Sequence, residues 1–196
     1  MFYIIAGNVS IETLQAVDES YSLWKVEIWR RGRWGDESPR HRFEGYRYSS
    51  LNGMALLNES RGLVVIGDAG AGQVFTVDVK TGTYSRTIED PTMAPTPSTR
   101  PEINGIKIRG GYLYYTTSAQ ATCNRIPING ADGSLAGPAG VLARFLEGDD
   151  FSFDPAGNAY VAQNAGRTMA KVTPVGVTSI VARNLDSTVV YWLHSD

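Results

Sequence analysis

The 196-residue sequence holds one cysteine, Cys123, and two histidines, His41 and His194. A single thiol excludes an intrachain disulfide framework. Cys123 lies between TTSAQAT and NRIPI with no histidine nearby to activate it, so it reads as structural rather than nucleophilic. Two histidines in poorly patterned segments do not support a His-based zinc site or a Ser-His-Asp triad. No apolar run approaches the roughly 18–20 residues that a membrane-crossing helix needs. The formal net charge of −2 gives no basis for binding nucleic acid or an anionic membrane. The one basic stretch, WRRGRWGDESPRHR at 29–42, has acids interspersed and reads as a solvated turn. The opening MFYIIAG is a strand pattern without a basic leader region or cleavage site. The expectation is therefore a chain that starts inside a fold, with cytoplasmic residence as the default.

Sustained helical periodicity is missing as well. What recurs instead is a short strand pattern: MFYIIAGNVS, RGLVVIGDAG, GGYLYYTTSA and AGNAYVAQNA each place four or five strand formers before a small polar loop. A second strand pattern follows each, in SLWKVEIWR, GQVFTVDVKTG, CNRIPINGADG and MAKVTPVG. A further one precedes the last three, in NGMALLN, NGIKIRG and DDFSFDPAG. Short strands in a unit of about 40–50 residues are the signature of a β-propeller blade. With 42% hydrophobic residues the chain can bury one domain's core. The expected fold class is all-β: a β-propeller of four-stranded antiparallel blades near 1–50, 51–89, 103–147 and 149–183, with a tail at 184–196. The first blade lacks its inner strand. The expectation is a compact four-bladed ring or, preferred, an incomplete piece of a larger propeller, whose raw blade edges offer a route to self-association.

In such a ring the first strand of each blade lines the channel. Asn52, Asn104 and Asp149 each stand at the entrance of a first strand, in the same phase of three blades. The loops GDAGAG (67–72), TSAQAT (117–122) and QNAGRT (163–168) should flank the same mouth, with residues 90–102 as a wall or lid. Two amides and a carboxylate are hard oxygen donors, suited to calcium or magnesium. The alternative is that Asn52-Gly53 and Asn104-Gly105 serve as turn residues, and Asp149-Asp150 as a turn carboxylate pair. GDAGAG is not a phosphate loop, because a strand pattern follows it where a helix is required.

The order and spacing of NGMALL, INGIKIRGGYLYYT, RIPINGADGSLAGPA and DDFSFDPAGNAYVA resemble the senescence-marker-protein/gluconolactonase superfamily of six-bladed propellers, its fungal branch above all. The similarity runs from about residue 50 to 183. It implies a divalent ion, calcium or magnesium, on the channel axis, with Asn104 and Asp149 as metal ligands and Asn52 one blade earlier binding substrate or metal. The family's first-blade Glu has no counterpart here. It also implies hydrolysis of a lactone or ester of small-molecule size, with Asp149 or Asp150 as base. No organic cofactor, nucleic acid or membrane partner is implied. Other members of that branch use the funnel as a metal-free cavity for cyclisation, including hetero-Diels–Alder chemistry. For that, Asn52, Asn104, Thr116, Thr117 and Asn164 supply hydrogen-bond donors. A truncated, non-catalytic ligand-binding propeller is the third reading.

Overall fold

The computed structural model describes residues 2–8, 10, 12, 17, 20–26, 41–42, 50–94, 96, 102–144 and 147–183. Most of the basic stretch at 29–42, residues 97–101 of the expected lid, and the tail with His194 lie outside them. The described residues contain no helix and form antiparallel sheets in strict chain order. The first sheet has three strands, β1 (Phe2–Ala6), β2 (Ser22–Val26) and β3 (His41–Arg42). The second runs β4 (Leu51–Asn58), β5 (Leu63–Asp68), β6 (Gln73–Asp78) and β7 (Tyr84–Glu89). The third runs β8 (Ile103–Arg109), β9 (Tyr112–Thr117), β10 (Thr122–Pro127) and β11 (Gly140–Arg144). The fourth runs β12 (Phe151–Phe153), β13 (Ala159–Gln163), β14 (Thr168–Val172) and β15 (Thr178–Ala182).

Within each sheet a strand pairs with the next, and most of these connections in the second, third and fourth sheets are short turns, because Gly, Asp and Asn punctuate runs of β-branched and aromatic residues. Asp78 shows the device: its Oδ1 accepts hydrogen bonds from the backbone N–H of Lys80 (2.8 Å) and Thr81 (3.2 Å), closing the turn between β6 and β7. The same bonds hold the Asp78 carboxyl below its usual range, led by the Lys80 amide.

Alternation along the strands sends side chains into three separate cores, one between each pair of neighbouring sheets. Leu23, Leu51, Val64, Ile66 and Phe75 close the first. Val65, Val74 and Ile88 meet Ile103, Ile106 and Tyr115 in the second, with Met93 inserted from the connection after β7. Cys123 and Ala143 meet Phe151, Val161 and Ala170 in the third. β5 is buried at all six positions, since its sheet is covered on both faces, whereas β15 is exposed at four of five. The first strands β4, β8 and β12 lie side by side and the last strands lie outermost.

Cys123 is fully buried in the third core, and burial pushes its thiol up to about 12. Native protein at pH 8 should therefore resist alkylation by iodoacetamide, and labelling should track global unfolding in urea. Rapid labelling of the folded protein would contradict this placement.

Candidate functional site

The two Asn-Gly pairs are neither hairpin turns nor regular strand. Both fall where the ladder skips: pairing jumps from Leu51–Asp68 to Met54–Ile66, and from Ile103–Thr117 to Ile106–Tyr115. Each pair is thus a β-bulge at the entrance of a first strand, a device that re-aims the side chain next to it. In the fourth sheet Phe151 pairs with Val161, while the Asp149 N–H donates to Ala162 O at 2.8 Å. Matching the ladders puts Asp149 at the place of Asn104 and Asn52.

Asn52 and Asn104 interact across sheets, and Asp149 is met from within its own sheet. Asn52 Nδ2 donates to Asn104 Oδ1 at 2.6 Å. Asn104 Nδ2 donates to Ser118 Oγ at 3.2 Å, and Ser118 Oγ to Gly148 O at 3.1 Å. Asn164 Nδ2 donates to Asp149 Oδ2. Ser118 and Asn164 each open the loop after the second strand of their sheet, so those loops do reach the first-strand residues. Asn164 Oδ1 is buried and has no hydrogen-bond partner among the described residues. The Asn-Gly glycines have a steric cause: a Cβ on Gly53 would lie 2.3 Å from Asn104 O, and one on Gly105 2.8 Å from Asp149 O. Close approach of consecutive first strands sets Asn52 against Asn104 and Gly105 against the Asp149 backbone.

Thr116 and Thr117, expected to face a substrate, do not. Both are fully buried. Thr116 Oγ1 donates to Asp149 O at 2.6 Å and accepts from Gly105 N at 3.0 Å, which ties β8 to the start of β12. Thr117 Oγ1 shares a 2.7 Å hydrogen bond with Thr122 Oγ1. They position the site rather than line it. Asp150 also differs from Asp149. Its Oδ1 lies 2.7 Å from Lys107 Nζ and accepts from the Phe151 N–H at 2.8 Å, so its charge is already met.

Three residues of the site were not anticipated from sequence: Ser118, Lys107 and Glu102. Glu102 is 2% exposed, and its Oε1 accepts from the Thr96 N–H at 2.5 Å while Oε2 has no partner among the described residues. Its backbone bonds to Ala69 O and to the Ser118 N–H. It holds the connection after β7 against the mouth, together with Gln120, whose Nε2 donates to Pro91 O and Ala94 O. The signal was present as PEING, a carboxylate two residues before the bulge. The buried Tyr115 hydroxyl, raised chiefly by burial, shares a 2.5 Å hydrogen bond with Thr92 from the same connection.

Among the described residues no three His, Cys, Asp or Glu side chains gather as metal ligands, and no helix is long and apolar enough to cross a membrane. The donor chemistry nonetheless fits a hard cation. Asp149 carries a carboxylate with the orphaned Asn164 oxygen beside it, and Asn52 and Asn104 carry amide oxygens.

No protein-family model matches the chain, and no curated protein matches it in sequence. Solved structures do match in fold. A nidogen/laminin complex aligns at 14% identity over 93% of this chain and 61% of its own, with a TM-score of 0.64. Regucalcin from Agrobacterium tumefaciens, described as a calcium-binding protein, aligns at 16% over 90% of this chain and 57% of its own, with a TM-score of 0.57. A candidate gluconolactonase aligns at 16% over 69% and 49%, with a TM-score of 0.50. The chain thus spans about half to three-fifths of the length of these structures. Successive antiparallel meanders, first strands side by side and cores between sheets, make this chain a β-propeller.

Proposed function

We propose that the mouth formed by Asn52, Asn104 and Asp149 binds a small molecule and that the protein hydrolyses a lactone or ester there with a divalent cation. The observation that carries this reading is that three hard-oxygen residues stand at the same register of three consecutive first strands, with Asn52 bonded to Asn104 and Asp149 bonded to Asn164. The likeness of fold to a calcium-binding regucalcin and a candidate gluconolactonase supports it. Asp149 and the amide oxygens of Asn52, Asn104 and Asn164 would hold calcium or magnesium, which when bound polarises the ester carbonyl. Asn164 fixes one oxygen of Asp149 and leaves Oδ1 to take a proton from water as the water oxygen bonds to the carbonyl carbon. The ring C–O bond then breaks and the leaving oxygen regains a proton. Asp150, paired with Lys107, shapes the field beside this group and is not the base.

One observation favours a second reading. The amides of Asn52 and Asn104 bond directly to each other, so the mouth is already a preorganised set of donors. A metal-independent cyclisation of a bound small molecule needs such a set, together with cavity shape. Calcium titration by calorimetry, with thermal melting and hydrolysis of simple lactones in parallel, separates the two. Saturable binding, a raised melting temperature and hydrolysis lost to chelator and to Asn104→Ala are expected. A cooperative melt with no response to calcium or magnesium and no hydrolysis would sink the hydrolase in favour of the cyclase or a non-catalytic binder.

A further inference from the structure

Ser118 joins parts of the mouth that belong to different sheets. Its N–H donates to Glu102 O at 3.0 Å, which holds the residue beside the entrance of β8. Its Oγ donates to Gly148 O, the carbonyl just before Asp149, at 3.1 Å. Gly148 comes that close to β9 because it lacks a side chain. A Cβ there would stand 2.8 Å from both Thr116 Cγ2 and Val161 Cγ1. A carbonyl oxygen only accepts, and a hydroxyl has one hydrogen to give. With that hydrogen committed to Gly148, Ser118 Oγ can only accept from Asn104, which answers with Nδ2 at 3.2 Å. Asn104 Oδ1 is thereby turned to Asn52, and Asn52 must answer with its own Nδ2, at 2.6 Å.

We propose that Ser118 is a positioning residue, which sets the way both amides face through the chain Gly148 O, Ser118, Asn104, Asn52. The direction starts at a fixed backbone carbonyl. If the Asn104 amide flipped, its oxygen would face the lone pairs of Ser118 and its nitrogen that of Asn52, leaving like groups opposed at both ends. In the observed direction Asn104 Oδ1 keeps a second lone pair, and the chain ends on the amide of Asn52 with its oxygen uncommitted to Asn104. A hard cation takes oxygen and rejects N–H, so this orientation is what makes either Asn a cation ligand. Outer partners that hold a ligand's orientation contribute to metal affinity. The effect on cation affinity rests on the proposed cation site, whereas the orientation of the two amides does not.

NMR of the side-chain amides in the full, cation-free chain, with calcium calorimetry beside it, tests this. In the wild type an Asn104 Nδ2 proton should show an Overhauser contact to the Ser118 Cβ protons. In Ser118→Ala the Asn52 and Asn104 amide signals should both shift, while the backbone amides of β5 and β13 stay in place and report a folded protein. Calcium affinity should fall roughly 10–100-fold, the cost of removing such an outer partner. Ser118→Thr, which keeps the hydroxyl, should restore it. No contact in the wild type would overturn the proposal, as would Asn52 and Asn104 signals that do not move in Ser118→Ala. Ser118→Thr as defective as Ser118→Ala would overturn it too, assigning the loss to packing. Unchanged calcium affinity in Ser118→Ala, with Asn104→Ala defective, would overturn it and leave the cation site standing. A wild type that binds no calcium, but whose two Asn signals move together in Ser118→Ala, would uphold the orientation and sink the cation site.

Discussion

Asp149→Asn should lower lactone hydrolysis by roughly 10²–10⁴-fold in kcat, the range that a positioned general base contributes. The substitution is nearly isosteric and leaves the backbone of residue 149 in place, where its N–H meets Ala162 O and its carbonyl accepts from Thr116 Oγ1. The melting temperature should therefore stay close to wild type, and KM should change less than kcat. Asp150→Asn is the contrast. It breaks the Lys107–Asp150 pair, whose side chains are 25% and 41% exposed, and an ion pair that accessible to water contributes about 1 kcal/mol or less. Activity should fall only severalfold. A large loss in Asp150→Asn with an active Asp149→Asn would reverse the assignment of the base. Equal indifference to both would remove hydrolysis at this mouth altogether.

The strands and their repeat were legible because Val, Ile, Tyr and Thr runs are cut by Gly, Asp and Asn at regular intervals, and local chemistry decides both. The common phase of Asn52, Asn104 and Asp149 was legible for the same reason. Which residues face the mouth was not. Alternation distinguishes inside from outside only when one face of a sheet is wet, and the third sheet is packed on both. Thr116 and Thr117 point to opposite faces and are buried all the same. The bulges hide a second layer. Asn-Gly has one sequence signature for a turn, a bulge or a close approach, and the difference lies in what the next first strand does across the gap. Glu102 and Lys107 were missed because their partners, the Thr96 amide and Asp150, lie on other segments. No local pattern encodes a pairing between sheets.

That close approach yields the largest expected effect on stability. Gly53 has φ +74°, in the left-handed region, and an added Cβ would stand 2.3 Å from the Asn104 carbonyl oxygen and 3.1 Å from Ile106. Gly53→Ala therefore combines backbone strain with overpacking against main chain that cannot rotate away, together about 4 kcal/mol. For a domain of marginal stability that is a large share of the total. Gly110 provides the control. Its φ is +58°, yet a Cβ added there would meet nothing within 4 Å, so Gly110→Ala carries the strain alone, about 1 kcal/mol. Urea unfolding followed by tryptophan fluorescence gives both values, and the difference isolates the contact between β4 and β8. Because Asn104 both crowds Gly53 and accepts from Asn52, Gly53→Ala should also weaken calcium binding at temperatures where the protein remains folded. If Gly53→Ala proved no more destabilising than Gly110→Ala, the first strands would not approach as described. The mouth built on that approach would then lose its geometric basis.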